Sequence, residues 1–284
     1  MTMTFETQQV AGHRLRVARS TGGHPVTVVM TNALPQSIRC WESVWDRLAA
    51  HFDLLAVDLP GFARSTGSEA VMRPSAQAEV LVEVMDANGI DQAVVVGPDI
   101  GVPVALWLAS AHPERVLAVN VFDGPGTWPT EFHRSIESAV RSGLVRWLAT
   151  HPPLRRRIMA QNLAIATSEG YERFTPSPEA AAEYEELCFD PDVHRRAFAY
   201  FGSYVDELPL VEQRLSTLRV PVLVTWGGKD PFVSVANAHR LHELIPDSEL
   251  TIFDDAGHFS HEDADQEWID RFSAFVAARH VAPG

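Results

Sequence analysis

Residues 94–105 read Val94-Val95-Val96-Gly97-Pro98-Asp99-Ile100-Gly101-Val102-Pro103-Val104-Ala105. A short β-branched run ends in Gly-x-Asp-x-Gly, and an Ala-, Leu- and Trp-rich helical pattern follows. Strand, tight turn and helix in that order form the setting in which a nucleophile is presented on a sharp elbow. A serine at the centre would need a histidine to take its proton before it could attack. The residue here is Asp99, and a carboxylate is already ionised at neutral pH. It can displace at an electrophilic sp³ carbon and form an alkyl ester. The chemistry therefore points away from esterases and peptidases, towards opening epoxides or displacing halide. An aspartate at this place can also simply cap a helix N-terminus, where the dipole favours negative charge. The motif alone leaves both readings open.

Outward from the elbow, strands and helices alternate. Residues 7–18 read as a hairpin around a Gly-containing turn. Strands are expected at 25–30, 54–57, 93–96, 116–122, 221–226 and 250–253. Helices are expected at 41–51, with Trp41, Val44, Trp45 and Leu48 at helical spacing, and at 74–88, 100–111, 234–244 and 265–279. Alternation of this kind implies a mostly parallel central sheet with helices on both faces. Residues 128–204 break it. They contain no convincing strand, are helical and aromatic, and carry prolines at 129, 152, 153, 176, 178 and 191. The expected organisation is an α/β core formed by 1–127 and 205–284, with 128–204 inserted as a helical lid over the carboxyl ends of the strands.

The chain has 284 residues, of which 46% are hydrophobic, enough for a sizeable core. Its formal net charge of -14 disfavours nucleic acid and anionic membrane surfaces as partners. The first residues, Met1-Thr2-Met3-Thr4-Phe5-Glu6-Thr7, show no basic stretch followed by an apolar one, and no apolar run approaches a bilayer span. The expectation is a soluble cytoplasmic protein. Cys40 and Cys188 are far apart, without CxxC spacing, and read as reduced thiols rather than a disulfide or metal site.

Four pieces together resemble the α/β-hydrolase fold, and within it the epoxide hydrolase and dehalogenase branch with an aspartate nucleophile. They are Asp58-Leu59-Pro60-Gly61-Phe62-Ala63-Arg64-Ser65, Gly97-Pro98-Asp99-Ile100-Gly101, Trp226-Gly227-Gly228-Lys229-Asp230 and Ala256-Gly257-His258-Phe259. The order Asp, Asp, His matches the nucleophile, acid and base of that fold. The resemblance implies that Asp99 attacks, that His258 activates water, and that Asp230 orients His258. Asp123 also follows a strand and competes with Asp230 for the acid role. The resemblance further places the oxyanion hole at the backbone N–H groups of Leu34 and Ile100. Asn32-Ala33-Leu34-Pro35 departs from the family's His-Gly-x-Pro, and Ala33 would be strained if its backbone needed positive φ.

Ile100 and Leu34 offer no side-chain donor for a leaving halide and no cation for a haloacid. Epoxide hydrolases protonate the epoxide oxygen from lid tyrosines, and Tyr200 stands at the right distance before Asp230, with Tyr204 one turn on. No tyrosine occupies the early-lid position; Trp147 there either donates an indole N–H to the substrate or packs. The reading is an epoxide hydrolase acting on a small, largely apolar molecule, with no cofactor and no metal, and compatible with a homodimer. The alternatives are a haloalkane or haloacid dehalogenase using the same nucleophile, or a degenerate, non-hydrolytic ligand binder of the same fold.

Overall fold

A computed structural model describes residues 3–280. The strands are β1 (Phe5–Val10), β2 (His13–Ser20), β3 (Thr27–Thr31), β4 (Asp53–Val57), β5 (Ala93–Pro98), β6 (Val116–Phe122), β7 (Val222–Gly227) and β8 (Ser248–Phe253). They form one sheet in the order β1-β2-β4-β3-β5-β6-β7-β8. β1 pairs antiparallel with β2, and β2 antiparallel with β4; every later pairing is parallel. Ala11 and Gly12, both at positive φ, make the two-residue turn between β1 and β2.

The helices are α1 (Trp45–Ala49), α2 (Pro74–Ala87), α3 (Val102–Ala111), α4 (Arg134–Arg141), α5 (Gly143–Thr150), α6 (Pro152–Glu169), α7 (Pro178–Phe189), α8 (Pro191–Leu215), α9 (Ala236–Leu244), α10 (Ser260–Asp263) and α11 (Asp265–His280). Among the described residues, none is long and apolar enough to cross a membrane. The β5 run is continuous in valine because both faces of the sheet are covered. Val95 faces the cluster built with Leu81, Val84 and Ala105, while Val94 and Val96 face the cluster of Trp41, Trp268 and Phe272.

The expected helix at 41–51 is shorter than its apolar spacing suggests. Ile38–Trp41 is a 3-10 turn, and α1 begins only at Trp45. The indole N–H of Trp41 donates to the Thr31 carbonyl at the end of β3 (2.9 Å), which fixes this residue to the sheet before the helix starts.

Between β6 and β7 the chain runs through α4 to α8, with no strand among the described residues. The last of these is one 25-residue helix. It passes position 204 without a break and packs on α2, α3 and α9. The other edge of the lid is tied by charge. Glu183 on α7 accepts hydrogen bonds from Arg16 (2.7 Å), Ser37 (2.6 Å) and Arg39 (2.9 Å), all from the core.

Candidate active site

β5 ends at Pro98, and the chain turns through a 3-10 segment, Asp99–Gly101, into α3. Asp99 sits at φ +46°. That region costs a non-glycine residue about 1–2 kcal/mol, so the surroundings must hold it there. A Cβ on Gly97 would lie 2.4 Å from the Gly101 carbonyl oxygen, and one on Gly124 would lie 2.1 Å from the Asp99 carbonyl oxygen. Both contacts are backbone and cannot give way. The glycines therefore let the chain close tightly around a strained aspartate.

The two carboxylate oxygens of Asp99 have different surroundings. Oδ2 accepts the backbone N–H of Leu34 at 2.8 Å. Oδ1 lies 3.8 Å from Nε2 of His258. Burial pushes the Asp99 carboxyl above its ordinary range, opposed by His258 and by the N–H groups of Leu34 and Ile100. The two expected oxyanion donors thus both act on this side chain. Ala33 is not at positive φ, so its replacement of glycine brings no strain. Asn32, fully buried, holds the loop instead. Its Oδ1 accepts the Leu59 N–H (2.8 Å), and its Nδ2 donates to the carbonyls of Ala33 (2.9 Å) and Gln36 (3.3 Å).

His258 Nδ1 and Asp230 Oδ2 are 2.8 Å apart. The other oxygen of Asp230 accepts the N–H groups of Phe232 (2.8 Å) and Val233 (3.1 Å), which fix its orientation. Burial opposes charge on His258, but Asp230, its hydrogen bond, Asp99 and Asp123 outweigh it and lift the imidazole to about 9. Asp123 makes no hydrogen bond to His258. It accepts the N–H of Gly227 (2.9 Å) and of Ser260 (3.0 Å), tying the end of β7 to the turn after His258. Of the two competing acids, the structure pairs Asp230 with the histidine.

A cavity of about 170 Å³ lies between these strand ends and the helices α4, α6, α7 and α8. Asp99, His258, Leu34, Gln36 and Tyr204 line it beside Phe132, Ile136, Met159, Leu187 and Phe198. Among the described residues, no group of three His, Cys, Asp or Glu side chains is arranged to hold a metal ion.

The sequence profile of the alpha/beta hydrolase fold family matches residues 26–265. The chain belongs to this family. The acetyltransferase component of the acetoin cleaving system from Cupriavidus necator is 29% identical over 268 residues, which is 90% of this chain and 64% of that protein. This alpha/beta hydrolase thus spans less than two thirds of that relative. The 2-hydroxy-6-oxononadienedioate/2-hydroxy-6-oxononatrienedioate hydrolase of Burkholderia vietnamiensis is 28% identical over 233 residues, covering 80% of this chain and 76% of that one. The solved structure of the epoxide hydrolase CorEH superposes with a TM-score of 0.80 at 21% identity, covering 97% of this chain and 99% of that one. At this identity the superposition speaks to fold alone.

Not every residue expected at the site of this alpha/beta hydrolase reaches the cavity. Trp147 is 54% exposed on the solvent side of α5, where its ring lies tilted against His151 with centroids 4.3 Å apart. It does not line the cavity, so the fold does not bring its indole to that space. Tyr200 is fully buried, and its hydroxyl donates to the Ile100 carbonyl (2.9 Å) rather than lining the cavity. Tyr204 does line it, and its hydroxyl has no hydrogen-bond partner. The two rings meet edge to face, 5.2 Å apart. Asn32 was read only as a departure from the family's histidine, and Gln36 went unread. The retained Pro35 marked their loop, but only the fold shows what their amides meet.

Proposed function

We propose that this protein is an epoxide hydrolase that forms a covalent alkyl ester on Asp99. The observation that carries the reading is the carboxylate on the elbow. One of its oxygens is held by a backbone N–H while the other faces the catalytic histidine position at 3.8 Å. That division suits a displacement in which Oδ1 attacks and Oδ2 becomes the ester carbonyl.

In this scheme Oδ1 attacks an epoxide carbon and the ring C–O bond breaks. The departing oxygen takes a proton from the Tyr204 hydroxyl. Burial, with Tyr200 and Asp99 nearby, pushes this phenol well above its ordinary range, so it enters the step protonated. Alkylation removes the negative charge of Asp99, one of the charges that hold the proton on His258. The histidine then passes its proton, by way of water, to the Tyr204 phenolate, which restores the phenol and leaves His258 neutral. Neutral His258, oriented by Asp230, takes a proton from water, and the hydroxide attacks the Asp99 carboxyl carbon. The N–H groups of Leu34 and Ile100 hold the resulting oxyanion. Collapse expels the diol oxygen, which takes its proton from His258, and the proton left on the Asp99 carboxyl then passes to His258 and restores the ionised pair.

The cavity favours an apolar, uncharged electrophile. Among the described residues no Arg, Lys or Trp lines it, and its protonated His258 is already paired with Asp230 and Asp99, so a haloacid meets no free countercharge and a halide no indole donor. The decisive experiment is mass spectrometry of His258→Gln incubated with styrene oxide and, separately, with a bromoalkane. The expected result is an adduct of styrene oxide mass on Asp99. An adduct from the bromoalkane alone makes the protein a dehalogenase, and no adduct from either removes the covalent mechanism.

A further inference from the structure

The net charge of -14 is unevenly spread along the chain. Residues 138–168, which run from α4 through α6, hold five arginines and no aspartate or glutamate. The same stretch gathers exposed apolar side chains. Leu144, Trp147 and Leu148 share one face of α5 at i, i+3 and i+4 spacing, and all are exposed, Leu144 the most at 66%. Leu154, in the first turn of α6, is also exposed. Arg157 follows Leu154 by three positions and rises from the same side of that helix. Arg141 pairs with Glu137, and Arg146 donates to the carbonyls of Ala139 and Val140. Arg156 and Arg157 are exposed, and among the described residues neither meets a carboxylate.

Single exposed apolar residues are ordinary on a protein surface, but contiguous ones mark interaction sites. Four of the seven large exposed apolar side chains among the described residues fall between positions 144 and 154. We propose that this face of the lid docks on an anionic lipid bilayer, with the leucines and Trp147 entering the headgroup boundary and Arg156 and Arg157 meeting lipid phosphates. Charge complementarity selects this occupant. Two unpaired arginines favour an anionic surface, and screening over about 8 Å hides the distant acids of the core. An indole suits the boundary, because its body is apolar and its N–H polar. A second copy of the chain fits poorly, since a two-fold contact through this face sets arginine against arginine.

The cavity opens nearby. Ser135 on α4 and Asn162 on α6 both line it and are exposed, which puts its mouth between two helices that flank the patch. An apolar molecule dissolved in the bilayer thus has a short path to the cavity. The docking itself does not depend on the reaction at Asp99.

The test is co-flotation with vesicles of phosphatidylcholine and phosphatidylglycerol in equal parts, beside vesicles of phosphatidylcholine alone. The native protein should bind the anionic vesicles at least about 10-fold more tightly, and less so in high salt. Arg156→Glu with Arg157→Glu should weaken that binding roughly 10-fold or more, at about 5-fold for each arginine near an anionic surface. Anionic vesicles should also shift tryptophan emission to the blue, and Trp147→Phe should remove the shift. Native protein that binds neither vesicle, or both equally, overturns the proposal whether or not the variants fold. So does anionic binding that survives the double substitution. A dimer in sedimentation equilibrium that Trp147→Glu dissociates, with no vesicle binding, gives the patch to a second copy and overturns it too. Turnover enters none of these readings, so the active-site assignment stands or falls separately.

Discussion

The hydroxyl of Tyr200 donates to the carbonyl oxygen of Ile100, the residue that follows Asp99 in the chain (2.9 Å). The Ile100 N–H in turn acts on the Asp99 carboxyl. Tyr200 is thus a positioning residue for the elbow, while Tyr204 lines the cavity and its hydroxyl has no hydrogen-bond partner. The two tyrosines should separate kinetically. Tyr204→Phe is expected to slow epoxide alkylation of Asp99 by roughly 100-fold or more, the range of a lost general acid, and to slow bromide displacement much less. Tyr200→Phe should lower both reactions by a similar, smaller factor and lower thermal stability. Pre-steady-state ester formation on the two substrates checks this, and a selective epoxide defect in Tyr200→Phe would reverse the assignment.

His258 carries a proton at neutral pH in the free protein because three carboxyl groups surround it, against the cost of burial. Asp99→Asn imitates the charge of the ester without its bulk. In that variant the imidazole should titrate below the native value of about 9, by on the order of one pH unit or more, given a charge 3.8 Å away. NMR of histidine-labelled protein measures it directly. An unchanged titration would mean that alkylation does not switch His258 into a base.

Asp230 and Asp123 predict different failures. Asp230→Asn removes the carboxylate that orients and charges His258, and should slow turnover by at least about 100-fold. Asp123→Asn keeps the His258–Asp230 pair and should lose far less activity. Its cost should appear in stability, since Asp123 joins Gly227 to Ser260 through buried backbone hydrogen bonds. Thermal melts beside kcat for the two variants distinguish the roles.

Glu262, whose carboxyl burial lifts against hydrogen bonds with Gln36 and Tyr171, gives a stability signature. Its folded-state value of about 8 lies above the ordinary 4.5, so the native state keeps a proton that the unfolded chain has released between those values. Stability attributable to this group is full below pH 4.5 and falls as pH rises towards 8. Glu262→Gln keeps an acceptor for Gln36 and Tyr171 and removes the titration. The Tm of the variant should therefore gain on the native protein as pH rises from 5 to 8, by at least about 2 °C, the shift expected from 1 kcal/mol in a chain of this size. A gap that does not widen with pH would show that Glu262 does not titrate there.

The sheet and the Asp99, Asp230 and His258 positions were legible because each rests on a local pattern: a β-branched strand followed by a recognisable turn. The Leu34 N–H beside Asp99 was legible from Pro35, since a backbone N–H tolerates any side chain. The lid was harder. Trp147 lies on a helix whose apolar face could point either way, and α5 turns Leu144 and Trp147 to solvent. Tyr200 and Tyr204 share a helix face at i, i+4 spacing. Which hydroxyl meets a carbonyl and which meets the cavity depends on how α8 docks against the elbow, and no local pattern encodes that. The replacement of histidine by Asn32 looked like a loss. Only the packed loop shows its amide bracing Leu59, Ala33 and Gln36.

The unbroken course of α8 makes rotational phase a constraint on this protein. Leu208, Val211 and Leu215 root the helix in the core, and Tyr204 and Tyr200 stand about one and two turns above that root. Inserting one residue between Tyr204 and Leu208 would swing both rings by about 100° around the axis, away from Ile100 and from the substrate. Glu183 ties α7 to the core, but among the described residues α5 and α6 make no such bond to the elbow. Changes of length there alter the roof of the cavity while the tyrosines keep their bearing. Variation in substrate range can thus accumulate in the first part of the lid, with the helix beneath acting as a fixed axle.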